Sequence, residues 1–429
     1  MDRDRKAVIS WWFYDWANSA FILTVVAGFF PVFFKSFWCA AVDPTVSTAR
    51  LGIGNAVAGL LVAVMSPLLG AVADAGRAKK LLLGIFVVLG ALSTIGLFFM
   101  PKGEWLGALT IFLIASVGFN SANIFYDALL IDVTERSRMD WVSSVGYAIG
   151  YLGCGLLFLV NVLMVSHPAW FNLSGPAQAI RVSFLMAAIW WLVFSIPLFL
   201  NVHEKRSEKR VGACDAIRIG ASRILHTARA ILHNRPLLLF LLAYWLYIDG
   251  VHTFVLMAVD FGMAIGLKPA SLMVALLVVQ FVGFPSALLF GKLAGKIGAA
   301  GMIMIGICIY IGVCGAGSLL LRTATHYIIL AGITGMAQGG IQALSRSCFG
   351  KLIPADAAGE YFGFYNIVSR FAVILGPAVV AMVTLATRHA GLPSLAASRV
   401  GMSSVSLLFA GGLVLLIIAE RARVKAVNV

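Results

Sequence analysis

Apolar residues in this chain run in blocks of about twenty, with polar residues gathered between them. The blocks fall near 8–34, 51–72, 81–99, 105–127, 141–165, 179–200, 237–262, 271–294, 300–321, 326–347, 362–386 and 398–419. At 1.5 Å per residue each helical block is long enough to cross a hydrocarbon core of ~30 Å. Within the blocks the apolar positions are continuous rather than alternating, which excludes a membrane barrel. Lipid offers no hydrogen bonds to a backbone, so the blocks must be helical. The pattern predicts an all-α polytopic membrane protein of twelve transmembrane helices. A polar stretch, Asn201 to Pro236, separates the sixth block from the seventh. The expected organisation is a six-helix bundle over 1–200, a linker over 201–236, and a second six-helix bundle over 237–429.

Composition agrees with that pattern. The 429 residues are 61% hydrophobic and 12% charged, against roughly 25% charged in soluble domains. A surface so poor in charge must be covered by lipid. The net charge of +14 would suggest nucleic acid in a soluble protein; in a polytopic one it marks the loops that stay in the cytoplasm. With the N-terminus inside, 22 Lys and Arg fall in inside segments and 8 in outside segments. Both termini and the linker are therefore expected in the cytoplasm. The first apolar block is too long for the core of a cleavable signal, and it contains Asp15 and Asn18. The six cysteines are scattered, with no CxxC pair, and read as small packing residues rather than as a disulfide frame or metal site.

Two patterns organise the chain further. In the linker, Ile217, Ala221, Ile224, Ala228 and Ile231 recur at helical spacing while Arg218, Arg223 and Arg229 point elsewhere. This predicts a basic amphipathic helix, lying on the membrane surface or packed beneath the bundle. The halves also repeat each other. Asp15-Trp16-Ala17-Asn18-Ser19 in the first block matches Asp249-Gly250-Val251-His252-Thr253 in the seventh, and Asn123 to Leu129 matches Gln338 to Leu344. Both matches are in register with a six-plus-six duplication in parallel orientation. Gly146 and Gly150 in the fifth block and Gly376-Pro377 in the eleventh mark points of close packing and bending in equivalent helices.

The loop after the second block reads Gly70-Ala71-Val72-Ala73-Asp74-Ala75-Gly76-Arg77-Ala78-Lys79-Lys80. It resembles the G-x-x-x-D-x-x-G/R-basic signature of the major facilitator superfamily. The corresponding loop of the second half, Gly291 to Lys296, keeps the glycine and the basic residue but has Gly295 in place of the aspartate. A narrower resemblance lies in Tyr14-Asp15-Trp16-Ala17-Asn18-Ser19-Ala20-Phe21, Tyr247-Ile248-Asp249-Gly250-Val251, Gly340 to Ser347, and Phe362-Gly363-Phe364-Tyr365-Asn366. These segments resemble the autophagy-related vacuolar amino-acid effluxers and their bacterial relatives. That resemblance implies a twelve-helix bundle and export of amino acids. Ile248 stands where a polar residue is expected, and His252 where an amide is expected.

Ionisable and amide side chains inside membrane helices are costly and are functional candidates by default. The candidate substrate- or ion-binding set is Asp15, Asn18, Asn120, Asn123, Asp249, His252, Gln338 and Gln342. Asp15 and Asn18 share a helix face, as do Asn120 and Asn123, Asp249 and His252, and Gln338 and Gln342. Asp15 falls about seven residues into its apolar block and Asp249 about twelve, which places the two at unequal depths. The candidate gating set is Gly70, Asp74, Arg77, Asp127, Arg346 and Arg370. Helix ends place Asp127, Arg346 and Arg370 toward the cytoplasm, where acids of the first half (Asp74, Asp127, Asp132) can meet bases of the second. The aromatic start of the first block, Trp11 to Trp16, is expected at the membrane interface.

No HExxH, GxSxG or Walker motif occurs, and His and Cys do not cluster, so an enzyme or an ATP-driven pump is not expected. The expected function is secondary active transport of a small polar solute by alternating access, with amino-acid efflux and proton coupling as its finer form. A drug or metabolite exporter of the same fold, and a non-transporting membrane sensor or scaffold, are the alternatives. Expected partners are the solute, membrane lipid and protons, without nucleic acid, metal or cofactor. The expected state is a monomer in a bacterial cytoplasmic membrane.

Overall fold

The computed structural model describes residues 3–204, 213–264, 266–371 and 375–427. Twelve helices among them are long and apolar enough to cross a membrane, and they coincide with the twelve blocks. They are numbered in chain order. The first helix, α1, runs from Arg3 to Trp38, with wide π-helical turns at Phe21–Phe29 and Phe34–Trp38. It is followed by α2 (Pro44–Gly76), α3 (Lys79–Phe99), α4 (Trp105–Val133), α5 (Met139–Ser166) and α6 (Pro176–Asn201). The second half holds α7 (Arg235–Ala264), α8 (Pro269–Ile297), α9 (Ala299–Leu320) and α10 (Ala324–Leu352). Then come α11, described over Ala358–Phe371 and Leu375–His389 of the single span Ala355–His389, and α12, in two pieces (Ser394–Ser403 and Ser406–Val427).

Local chemistry sets several of the boundaries. Pro176 and Pro269 begin their helices, where a missing N–H removes nothing. The Thr323 hydroxyl caps α10 by accepting from the backbone N–H of His326. Arg77 takes a left-handed conformation, φ 52°, which stops α2 after Gly76 and turns the chain into α3. Outward faces are apolar: Ile53 is 66% exposed, Val64 70%, Leu81 66% and Leu200 70%. Such side chains are stable only against lipid, so this is an integral membrane protein.

Contacts group the chain into two units. The first holds Met1–Glu135, Ile149–Ile224 and Pro354–Phe364, and the second holds Arg136–Ala148, Leu225–Ile353 and Tyr365–Val429. The start of α5 thus belongs with the second unit, and the start of α11 with the first.

The interior of the first unit is aromatic. The Trp11 indole donates to the Tyr126 carbonyl at 3.0 Å, the Tyr126 hydroxyl donates back to the Trp11 carbonyl at 3.2 Å, and the rings stack at 4.5 Å. Trp11 and Tyr14 are fully buried and Trp16 stacks on Trp190. The expected interfacial belt is therefore a core: these rings bind α1 to α4 and α6.

In the linker, the helix Ala213–His233 is present. Its Arg218, Arg223 and Arg229 are exposed while Thr227 and Ile231 are buried against protein. Residues 205–212 and the side chains of Ile217 and Ala221 lie outside the described residues.

Candidate functional site

The carboxylates of α1 and α7 stand at similar positions along their own helices. Because α1 begins at Arg3 and α7 at Arg235, Asp15 and Asp249 lie 12 and 14 residues into their helices. The unequal depth expected from the apolar blocks came from starting α1 five residues too late, at 8 instead of 3. A polar, aromatic helix start carries too little hydrophobicity to register as membrane-spanning.

In the first unit, α1, α4 and α5 meet around these residues. The Asn18 amide donates to Asn123 Oδ1 at 2.9 Å, so two predicted side chains 105 residues apart are brought together. Asn120 donates to the Ser116 carbonyl of its own helix at 2.7 Å. Asp15, Asn18 and Asn120 are 6%, 5% and 8% exposed. Gly150 lets α5 close on α1; a Cβ there would come within 2.7 Å of Ser19 Oγ and 3.0 Å of the Asp15 carbonyl.

The second unit repeats that approach with a different use of the carboxylate. A Cβ on Gly376 of α11 would run into Thr253 Oγ1 and come within 2.7 Å of Asp249 Oδ1. Asp249, with no exposed surface, accepts from the backbone N–H groups of Leu375 at 3.1 Å and Gly376 at 2.9 Å and from the Thr253 hydroxyl at 3.1 Å. Those N–H groups belong to α11, so the carboxylate of α7 ties the two helices together through two backbone hydrogen bonds. Nearby, the Tyr247 and Ser345 hydroxyls share a hydrogen bond of 2.7 Å, and Tyr244 stacks on Tyr365 at 4.2 Å.

Three predicted side chains of this unit have little or no engagement with protein. Gln338 and Gln342 are partly buried, and neither amide has a hydrogen-bond partner among the described residues. His252 is also partly buried, and its Nδ1 has no partner. Gln338 is at the centre of α10, 14 residues from either end.

Three of the gating candidates, Gly70, Asp74 and Arg346, fall into two clusters. In the first unit, Gly70 lets α2 touch the start of α11 so closely that a Cβ would fall onto the Gly359 carbonyl. Gly363 makes a second such contact, 2.6 Å from the Ser66 carbonyl for a Cβ. Beside them Asp74 Oδ2 accepts from the Glu360 N–H at 2.8 Å. Lys79 pairs with both Asp74 at 3.4 Å and Asp132 at 3.3 Å. Lys79 is 7% exposed, a buried bridge rather than a solvated loop charge. In the second unit, buried Arg346 donates through Nε to Ser143 Oγ at 2.9 Å and through Nη2 to the Ser143 carbonyl at 3.2 Å. Its guanidinium also lies over the Tyr147 ring at 4.5 Å. One helical turn on, Asp140 pairs with Lys351 and accepts from the Ser347 hydroxyl at 2.7 Å. Neither Asp140 nor Lys351 was singled out by sequence; an ion pair 211 residues apart leaves no local signal. Asp127 is partly buried in the last two turns of α4.

Arg370 is placed differently from the expectation. It lies near the middle of the span Ala355–His389 and not at its end. The long α11 begins before its apolar block does, which moves Arg370 inward.

Against the Atg22-like vacuole effluxer family the chain matches over residues 44–134 and 131–427. It is 38% identical over 422 residues to a Bacillus subtilis protein described as an uncharacterized MFS-type transporter, YxiO, covering 97% of this chain and 95% of that one. The chain belongs to the Atg22-like family. Among fungal members, it is 27% identical to Autophagy-related protein 22-2 of Aspergillus clavatus over 57% of this chain and 43% of the fungal one. In fold it resembles the human organic anion transporter MFSD10, with TM-score 0.72, 15% identity and coverage of 97% and 100%. It also resembles the proton:xylose symporter XylE, with TM-score 0.69, 13% identity and coverage of 98% and 94%. These likenesses show a major facilitator fold. Within this Atg22-like chain, the segments that carry the family resemblance line the interior. Ile248 is 1% exposed and Phe362 likewise, and Asn366 is 7% exposed; at Ile248 an apolar side chain suits its buried place.

Proposed function

We propose that the protein is a secondary active transporter of a small polar solute, working by alternating access. The observation that carries this reading is the row of mid-span polar side chains left without protein partners. Gln338, Gln342 and His252 have no hydrogen-bond partner among the described residues, although an unsatisfied polar group in a membrane interior costs several kcal/mol. Side chains kept at such a cost face water or a solute. Asn18, Asn123 and Asn120 offer further hydrogen-bonding groups at mid-depth in the first unit. The Asp74–Lys79–Asp132 and Asp140–Lys351 clusters lie at helix ends that the charge distribution assigns to the cytoplasm, and act as the gate on that side. Asp74 clamps the start of α11 through Glu360, and close glycine contacts hold the clamp shut. Asp15 is kept as a candidate for substrate or proton binding. Asp249 is reassigned to holding α11 through its backbone. Membership in the Atg22-like family supports amino acids as the first solutes to try and export as the direction, from a bacterial cytoplasmic membrane.

The reading is tested by reconstituting the protein in liposomes and measuring uptake of radiolabelled amino acids with and without an imposed proton gradient. Saturable uptake that protonophore abolishes supports a proton-coupled carrier. No saturable flux of any labelled solute, in vesicles whose protein is folded and inserted, would contradict it.

A further inference from the structure

The mid-span cation Arg370 pairs with no acid among the described residues. Among the described residues its guanidinium makes one hydrogen bond, Nε to Asn366 Oδ1 at 3.4 Å, and no ion pair. Of the acids of the second unit's spans with described side chains, Asp249 accepts from the Leu375 and Gly376 N–H groups of α11 and from Thr253, Asp140 pairs with Lys351, and Glu420 pairs with Arg423; the Asp260 side chain lies outside the described residues. The neighbours in electrostatic reach of Arg370 are His252 and Tyr244, and neither neutralises a cation. Asn366, one turn back on the same helix and 7% exposed, holds the guanidinium through its carbonyl oxygen, and the Nη protons have no partner among the described residues. The Tyr244 ring is fixed by stacking on Tyr365 at 4.2 Å, and Tyr365 in turn on Phe349 at 4.7 Å. So the arginine is presented by rigid, aromatic-backed neighbours at the depth of Asp249 and Gln338.

A lone guanidinium inside a membrane span is expensive, and an arginine fork is the geometry that binds a carboxylate in two parallel hydrogen bonds. We propose that Arg370 is the binding point for a carboxylate on the transported solute, with His252 beside it and Asn366 orienting it. This rests on the transport reading above and adds the chemical class of the cargo: a small organic anion, or a zwitterion whose carboxylate is recognised in the second unit. Arg370 thereby leaves the gating set.

The test uses purified full-length protein in lipid nanodiscs. Its unfolding temperature is measured with the twenty proteinogenic L-amino acids, with their C-terminal amides, and with lactate, pyruvate, succinate and benzoate. At least one carboxylate should raise the unfolding temperature of wild type while its amide does not. Arg370→Gln should weaken that compound's apparent affinity by about tenfold to a hundredfold, the range for losing a charged hydrogen-bonding partner. Arg370→Lys should recover part of it, because a point charge replaces the fork. Without solute, Arg370→Gln should unfold at or above the wild-type temperature, since it removes an uncompensated buried charge; a marked fall would identify a structural ion pair and overturn the proposal. It would equally be overturned if no carboxylate stabilised wild type, or if Arg370→Gln responded as wild type does. Saturable transport of a neutral or cationic solute at wild-type rate by Arg370→Gln would refute the carboxylate site and leave the transporter reading intact. Absence of all saturable flux in wild type would refute the transporter reading itself.

Discussion

Asp249 offers the sharpest structural test, because the geometry gives an order of effects among substitutions. Its carboxylate serves three donors: Oδ1 accepts from Gly376 N–H and the Thr253 hydroxyl, and Oδ2 accepts from Leu375 N–H. Asp249→Asn keeps one oxygen, so two of those bonds can persist. Its amide nitrogen then faces the Leu375 N–H, donor against donor. The loss is one charge-assisted bond, about 1.5–3 kcal/mol. Asp249→Ala orphans all three donors and opens a small void, which should cost about 3–6 kcal/mol. Thr253→Val removes one donor and should cost about 1 kcal/mol. Unfolding temperature in nanodiscs should therefore fall in the order Ala, Asn, Val, with Ala lowest. Hydrogen exchange adds a local readout: the Leu375 and Gly376 amides should lose protection in Asp249→Ala while those in the middle of α10 keep it. If Asp249→Ala unfolds at the wild-type temperature with unchanged exchange at 375–376, the carboxylate does not hold the helix and its role is in binding.

Other outcomes follow from the same geometry. Gly70→Ala should destabilise the contact between α2 and the start of α11, by roughly 1–3 kcal/mol or more since the obstacle is backbone; cysteines placed near the cytoplasmic ends of α4 and α10 should then react faster with an impermeant thiol reagent added from that side. Lys79→Gln strips two buried carboxylates of their cation and should cost about 3–5 kcal/mol, with the double variant Lys79→Gln/Asp132→Asn recovering part of the loss in unfolding temperature. Asp15→Asn should leave a folded, inserted protein with strongly reduced transport, and wild-type rates would return Asp15 to a structural role. Reporter fusions after Lys102 and Leu392 should read outside the membrane and a fusion after Val202 inside; an exported Val202 fusion would overturn the orientation.

Much of this architecture was legible in the chain. Hydrophobic run length exposed all twelve helices, because lipid imposes length and continuity on each one. The duplication was visible in Asp15–Ser19 against Asp249–Thr253, and the structure places Gly150 and Gly376 against those same segments. Depth within a helix was less legible. A start built of Trp11, Trp12 and Tyr14 looks interfacial in sequence, yet Trp11 and Tyr14 form core. Partner choice was not legible at all. Nothing near Asp249 says that its acceptors serve the backbone of a helix 126 residues away, and nothing near Lys79 says that it bridges Asp74 and Asp132. The same sequence signal, a carboxylate inside a span, covers Asp249, which is spent on structure, and Asp15, which stays a binding candidate.

The central claim is that mid-span polar residues are reached from one side of the membrane and then from the other. It is tested by a single cysteine at Gln338 in a variant lacking the six native cysteines, labelled by a membrane-impermeant maleimide in sealed right-side-out and inside-out vesicles. Alternating access predicts labelling from both sides, with a saturating transported solute slowing it on each. Labelling from one side alone, or from neither, would contradict the account, because a residue that never meets both compartments cannot line a transport path.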